Sequence, residues 1–403
     1  WVNNIYTATI KYGDINNWCI KNVTDMNNLF LNKTTFNSNI SSWNVSSVTD
    51  MQLMFYNATS FDKDINNWDV SSVENMNSMF RGASSFNQPL NSWNVDSVTD
   101  MHSMFYNATK FNQPLNDWDV SVANMSNMFR NATSFNQPLN SWDVGSVTDM
   151  TAMFNDAESF NQNISNWDVG IVTTMEFMFL NATSFNQDIS NWDVNSVSNM
   201  HSVFRGATSF NQPLNDWSVN NVTDMKYMFY NATSFDQDIS NWDVSSVTTG
   251  NFSGVFFNTP ITYDLSKVTD ISTSWSSNPN WDAVDASLVF FFTDNSGGDI
   301  TLSSAVNEWI DDSNNATNIY FGPIDTWNTD LVTDMSNLFR ETTFNTDISS
   351  WNVGSVTNMK KMFQNDTSFN QPLNSWNVSS VADMNAMFRY ATSFDQPLND
   401  WNV

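Results

Sequence analysis

The residues with the clearest chemical potential are asparagines. Asn32, Asn57, Asn107, Asn131, Asn181, Asn231 and Asn365 each open an Asn-x-Thr triplet. In a eukaryotic host that triplet accepts an N-linked glycan. An Asn- and Thr-rich turn makes the same triplet by composition alone, and Asn is itself favoured just past a helix C-terminus. Cys19 is the single cysteine and the two histidines are His102 and His201. A disulfide framework and a Cys/His zinc site within one chain are therefore excluded. Cys19 remains as a free thiol or an interchain link. The methionine pairs Met51/Met54 and Met101/Met104 would suit a soft metal, but with no Cys or His beside them they read as core. Runs of aspartate at one repeat position, such as Asp119, Asp143, Asp168 and Asp193, would gather the oxygens Ca²⁺ prefers, so structural calcium is the one candidate cofactor. No acid and base fall into a shared pocket pattern, and the chain reads as non-enzymatic.

These residues recur because the chain repeats. Trp stands at 18, 43, 68, 93, 118, 142, 167, 192, 217 and 242, then at 327, 351, 376 and 401. A step of 25 residues, sometimes 24, marks a stacked array. With Trp as position zero, apolar residues fall at offsets 0, 2, 5, 8, 11, 12, 15, 18 and 22. All 21 Met residues sit at offset 8 or 11. Offset 12 is Phe from Phe30 to Phe229 and again at Phe339, Phe363 and Phe388.

Offsets 8, 11, 12 and 15 have the spacing of an amphipathic helix of about two turns. Thr at offset 6 suits its cap and Asp at offset 7 its dipole. The Trp-x-Val step at offsets 0 and 2 has the period of a short strand. Phe-Asn-Gln-Pro-Leu reads as a turn-rich return. The predicted fold is thus an α/β repeat solenoid, one short parallel strand and one short helix per coil of about 25 residues, in two tandem arrays.

Breaks in the period set the predicted domains. Residues 1–271 form a first array, with a partial N-terminal cap over 1–17. The unit after Trp118 loses a residue at Ser121. The unit after Trp242 breaks down at Gly250, and Tyr263 takes the Trp place in a degenerate copy. Residues 272–302 read as a linker and hairpin, with Trp275 and Trp281 among its aromatic residues. A second array spans 303–403, with a cap over 303–326 that includes a helix from Ser303 to Asp312. Trp1-Val-Asn-Asn matches Trp309-Ile-Asp-Asp, and Trp401-Asn-Val403 opens a new unit. The expectation is an excerpt of a longer chain of capped arrays, truncated at its C-terminus.

Leu90-x-x-Trp93-x-Val95-x-x-Val98 resembles the leucine-rich repeat, with Val where Asn usually stands. The blocks Trp-Asp-Val-Ser-x-Val-Thr-x-Met and Met-Phe-x-x-Ala-x-Ser-Phe-Asn more closely resemble the BspA-like surface-protein repeats of bacteria and protists. The resemblance covers roughly 1–271 and 303–403. It implies a solenoid at a cell surface or secreted, associated with adhesion, and it carries no catalytic residues.

The charge narrows the partners. Fourteen basic against 42 acidic residues give a formal charge of −28, so nucleic acid and anionic membranes are poor partners. No apolar run approaches the ~20 residues of a membrane helix. The leading expectation is an extracellular structural protein that self-associates into a cell-surface fibre, appendage or coat. The alternative is an adhesin that binds glycans or host surface proteins through the strand face of the solenoid.

Overall fold

The computed structural model describes residues 5–120, 124–263, 270–272, 274–281, 302–303, 306, 310, 324–327, 329–330 and 332–402. They belong to two compact units, Trp1–Asp282 and Ala283–Val403. The expected hairpin lies outside the described residues, as do most of the helix expected over 303–312 and all of the segment 264–269.

The α/β solenoid is overturned. Among the described residues the helical ones are α1 (Ile5–Tyr12), short stretches between 270 and 310, and the 3-10 turns Ile15–Asn17, Pro260–Tyr263 and Ile324–Thr326. No helix occupies offsets 8 to 15, and no strand forms at Trp-x-Val. The only β pairing among them is a ladder of isolated parallel bridges at offset 7, such as Asp25↔Asp50 and Asp50↔Asn75.

Each coil is instead a closed run of β-turns. In the coil that opens at Trp43, Val48 N donates to Val45 O, Met54 N to Met51 O, Tyr56 N to Leu53 O, Ala58 N to Phe55 O and Phe61 N to Ala58 O. Trp68 N then donates to Ile65 O. Five of these six bonds join apolar positions three residues apart. A β-turn brings residues i and i+3 close together, so its two corners share a face as they would on a helix. The spacing that predicts a helix is therefore equally the spacing of turn corners.

Backbone sign separates the two. Among the described residues every non-glycine residue of positive φ sits at offset 10 or 14, with φ between 54° and 63°. Those offsets are position i+2 of the turns 8→11 and 12→15, where a type II turn requires φ > 0. Asn, Gly and Asp tolerate that region, and offset 14 is Asn32, Asn57, Gly82, Asn107, Asn131, Asp156, Asn181, Gly206 and Asn231 in succession.

The alternation of φ turns every second amide along the stack. Met26, Asn28, Phe30 and Asn32 donate N–H to Asp50, Gln52, Met54 and Tyr56 of the next coil. Thr49 N returns a bond to Thr24 O. Side chains continue the pattern. Asp50 Oδ1 accepts from Gln52 N at 2.8 Å, so the expected helix cap is an Asx-turn. In Phe-Asn-Gln, the Asn87 Oδ1 accepts both Asn112 N and Gln113 Nε2 of the next coil.

The interior is three aromatic columns and an aliphatic fill. Phe30 to Phe256 stack at offset 12 with ring centroids 5.4 to 6.2 Å apart. A second Phe column runs from Phe36 to Phe235. Stacked Trp neighbours lie 6.3 to 6.5 Å apart, as at Trp43–Trp68 and Trp192–Trp217. From Trp43 to Trp242 each indole N–H donates to a carbonyl of the preceding coil, as Trp167 does to Leu139 O at 3.0 Å. Met, Phe and Val here are essentially fully buried, and each stabilises by about 1.5–3 kcal/mol.

The coil after Trp242 continues rather than breaking down. It carries two extra residues around Gly250, after which Phe252, Val255 and Phe256 take the Met, Met and Phe places. Trp275 stacks on Trp242 at 6.3 Å and is fully buried. It, rather than Tyr263, holds the next place in the Trp column. The second unit repeats the same chemistry: Trp327 stacks on Trp351, Phe339 on Phe363, and Asp334↔Asn358↔Asp383 form its bridges.

Candidate binding face

Offsets 9, 10 and 13 lie off the aromatic columns, and small residues at offset 10, such as Ser78, Ser103, Ala152 and Ser202, are covered by their neighbours. Offset 10 must hold φ > 0, so large side chains there are strained. Phe177 and Tyr227 hold it nonetheless. Their neighbours at offset 10 are small: Ala152 and Ser202 are buried, and a Cβ on Gly254 would lie 2.6 Å from Tyr227 Cδ1. Small residues on either side make room for each ring.

Between the two rings sits His201. It meets Phe177 edge-on at 5.1 Å and Tyr227 edge-on at 5.9 Å, with Nδ1 3.6 Å from an Asp224 carboxylate oxygen. Tyr227 is edge-on to Tyr230, and Arg205 lies over both rings at 5.4 and 4.9 Å. Lys226 Nζ is 5.0 Å from the Tyr227 ring. The result is a half-buried aromatic patch with cationic and acidic groups at its edge.

Offset 13 carries a second arrangement. All five Arg of the chain, Arg81, Arg130, Arg205, Arg340 and Arg389, fall there. Arg81 is held between Tyr56 at 5.5 Å and Tyr106 at 4.4 Å, and Arg130 lies over the other side of the Tyr106 stack at 5.0 Å. Stacking fixes the guanidinium plane and leaves its in-plane N–H donors for other partners. Among the described residues of the first unit no carboxylate pairs with these three Arg, whereas Arg340 meets Glu341 at 2.7 Å. The sequence shows the five Arg at one offset, and that regularity is the signal by which this strip is legible; the Phe177–His201–Tyr227 contact is not, because it depends on where offset 10 points.

The other sites named from sequence are placed as follows. Asn32, Asn57, Asn107, Asn131, Asn181, Asn231 and Asn365 all stand at the positive-φ corner of offset 14. Asn57 Nδ2 donates to Asn32 Oδ1 at 3.0 Å, Asn131 Nδ2 to Asn107 Oδ1 at 2.6 Å and Asn181 Nδ2 to Asp156 Oδ1 at 2.8 Å. Thr59 and Thr183 of the triplets donate to carbonyls one coil back. Turn geometry and ladder bonding thus account for both residues of the triplet. Cys19 is exposed and unbonded to sulfur. His102 Nδ1 lies 2.6 Å from Ser126 Oγ, four coils from His201. The Met pairs are buried beside Phe.

The aspartates are spread along the stack, and no group of three or more metal-binding side chains occurs among the described residues. At offset 1, Asp69 Oδ1 accepts Ser71 N and Oγ, and Asp193 Oδ1 accepts Asn195 N and Nδ2. The Ser245 hydroxyl, with its N–H, holds the Asp243 carboxyl below the usual range. One carboxylate oxygen is thus fixed to the turn. No described helix is long and apolar enough to cross a membrane.

Coil-on-coil backbone bonding, continuous aromatic columns and a polar turn face define a tandem repeat protein. The chain belongs to the family DUF285, described as "Mycoplasma protein of unknown function", whose pattern matches residues 2–118, 91–188, 162–261 and 308–403. Comparison with curated proteins finds no match.

Proposed function

We propose that this chain is a non-enzymatic structural repeat protein that builds an extracellular assembly: a cell-surface fibre, appendage or coat. The observation that carries the reading is the unbroken stacking from Phe30 to Phe256. Backbone bonds, an indole ladder and aromatic columns tie each coil to the next, which suits a load-bearing element. In such stacks stability is a sum of nearest-neighbour terms. The resemblance to BspA-like surface proteins agrees with a position outside the cell. In that setting the seven Asn-x-Thr triplets are N-glycan acceptors if the host glycosylates, and Cys19 is available for an interchain link. Electron microscopy of the native material tests the reading. A regular filament or sheath with this chain as its subunit is expected; dispersed particles without a lattice would overturn it.

A second reading, an adhesin, is favoured by one observation. Phe177 and Tyr227, both at a strained offset, form an aromatic surface patch with His201, Tyr230 and Arg205. Strain of this kind collects at ligand-binding sites. Binding would then use the turn face, since Trp-x-Val forms no strand. Tyr227→Ala should abolish binding to an immobilised glycan array or host-cell surface; equal binding by the variant would remove this reading.

A further inference from the structure

The acidic first unit carries its three Arg in coils that also carry a particular acid. Arg81 shares its coil with Asp69, Arg130 with Asp119 and Arg205 with Asp193. Coils with Tyr at offset 13 have no acid at offset 1: Tyr56 goes with Asn44, Tyr106 with Asn94 and Tyr230 with Ser218. The two offsets are 12 residues apart in a 25-residue coil, about half a circuit. Among the described residues no ion pair joins them within the chain. The three Asp are exposed, and Arg205 is exposed with Arg81 and Arg130 half-buried.

We propose that copies of this chain associate side by side in register, with Arg81, Arg130 and Arg205 of one copy meeting Asp69, Asp119 and Asp193 of the next. The proposal rests on the structural reading above and names its lateral contact. The occupant is a second copy because only a chain with the same coil repeat presents carboxylates at the spacing of these guanidiniums. Both sides are held in advance. Tyr rings fix the plane of Arg81 and Arg130, and Asx-turns fix Asp69 and Asp193 through Oδ1, leaving Oδ2 to accept.

With no shift between neighbours each Arg coil faces an Asp coil, and the Tyr coils face Asn or Ser; a two-coil shift would also set the three Arg against Asp119, Asp168 and Asp243, but it puts Asp143 opposite Tyr106. A contact between two different faces is heterologous and does not close on itself, so it extends into a sheet or bundle. A single exposed ion pair contributes little, but three on one rigid stack act together. In the second unit Arg340 and Arg389 share coils with Asn328 and Asn377 instead, so the lateral contact belongs to the first unit.

The test is sedimentation of the full chain, paired with a charge swap. The net charge of −28 repels copies at long range, so association is measured at about 0.1 M salt, where the Debye length is about 10 Å, and at about 1 M, where it is about 3 Å. The wild-type chain should sediment several-fold heavier than 45.9 kDa at the lower salt and as a monomer at the higher. The triple variant Arg81→Glu, Arg130→Glu, Arg205→Glu should stay monomeric, as should Asp69→Arg, Asp119→Arg, Asp193→Arg. Mixing the two should restore association, since each then offers the other's complement. All six side chains are exposed or half-buried, and unchanged thermal unfolding establishes that the variants fold. A wild-type chain that stays monomeric at about 0.1 M salt, or variants that associate like the wild type, would overturn the proposal. Native filaments that persist with the Glu variant would overturn the lateral contact alone and leave the structural reading standing.

Discussion

At the scale of single residues, the coil tolerates departures only where its chemistry is replaced. Offset 15 is Ala in most coils, yet Asp366 occupies it in the second unit and is fully buried. Its oxygens accept Ser368 N, Phe369 N and the Thr342 hydroxyl. Burial raises its carboxyl above the usual value, and the hydrogen bonds counter that only in part. The folded state then binds this proton more tightly than the unfolded state. The stabilising contribution is full below the ordinary carboxylate value near 3.8 and is lost as pH rises through the raised value. Asp366→Asn keeps the shape and removes the charge. Its second unit should unfold at the same denaturant concentration across that window and be at least as stable as wild type at neutral pH, read by denaturation at several pH values. A variant as pH-dependent as wild type would show that another group titrates. The sequence does not reveal this site, because an Asp in Asn365-Asp-Thr looks like any other surface aspartate until the coil is closed around it.

At the scale of the coil, the sequence shows the apolar offsets and their burial correctly but not the backbone that links them. Offsets 8, 11, 12 and 15 point inward whether they lie on a helix or at turn corners, so periodicity alone is blind to the difference. Asn, Gly or Asp recurs at offset 14, coil after coil, but these residues also suit the end of a two-turn helix, so they do not separate the two backbones. Offset 10 gives a direct test because larger residues occupy it. Lys361 has φ +59 and donates its N–H to Asn385 O. In a helix Lys→Asn would cost a few tenths of a kcal/mol. At a left-handed corner Asn is better tolerated, and Lys361→Asn should stabilise the second unit by about 0.5–1 kcal/mol. Loss of stability in denaturant titration would favour the helix. The indole ladder is the second element-scale test. Trp167→Phe leaves Leu139 O without its donor and a gap in the column, and should cost about 2–4 kcal/mol. A thermal midpoint unmoved by this change would mean that the ladder adds nothing to coil stacking.

At the scale of the whole molecule, stacking makes each unit a one-dimensional solid. Every coil repeats the same inward residues, so its outward ones are free to vary, and variation is where function is read: five Arg at offset 13, aromatic rings at Phe177 and Tyr227, aspartates at offset 1. The repeat and its boundaries are legible from the Trp spacing, whereas the place of Trp275 in the column is not, because 33 residues separate it from Trp242 where the period is 25. The central claim is that the coils are turns stacked by backbone bonds and aromatic columns rather than helices and strands. The amide I infrared spectrum of the full chain tests it without interference from the 18 Trp. A helix over offsets 8 to 15 in every coil would place about a third of each repeat in the helical band. The turn architecture predicts that this band is nearly absent and that turn absorption dominates. A strong helical band would contradict the account.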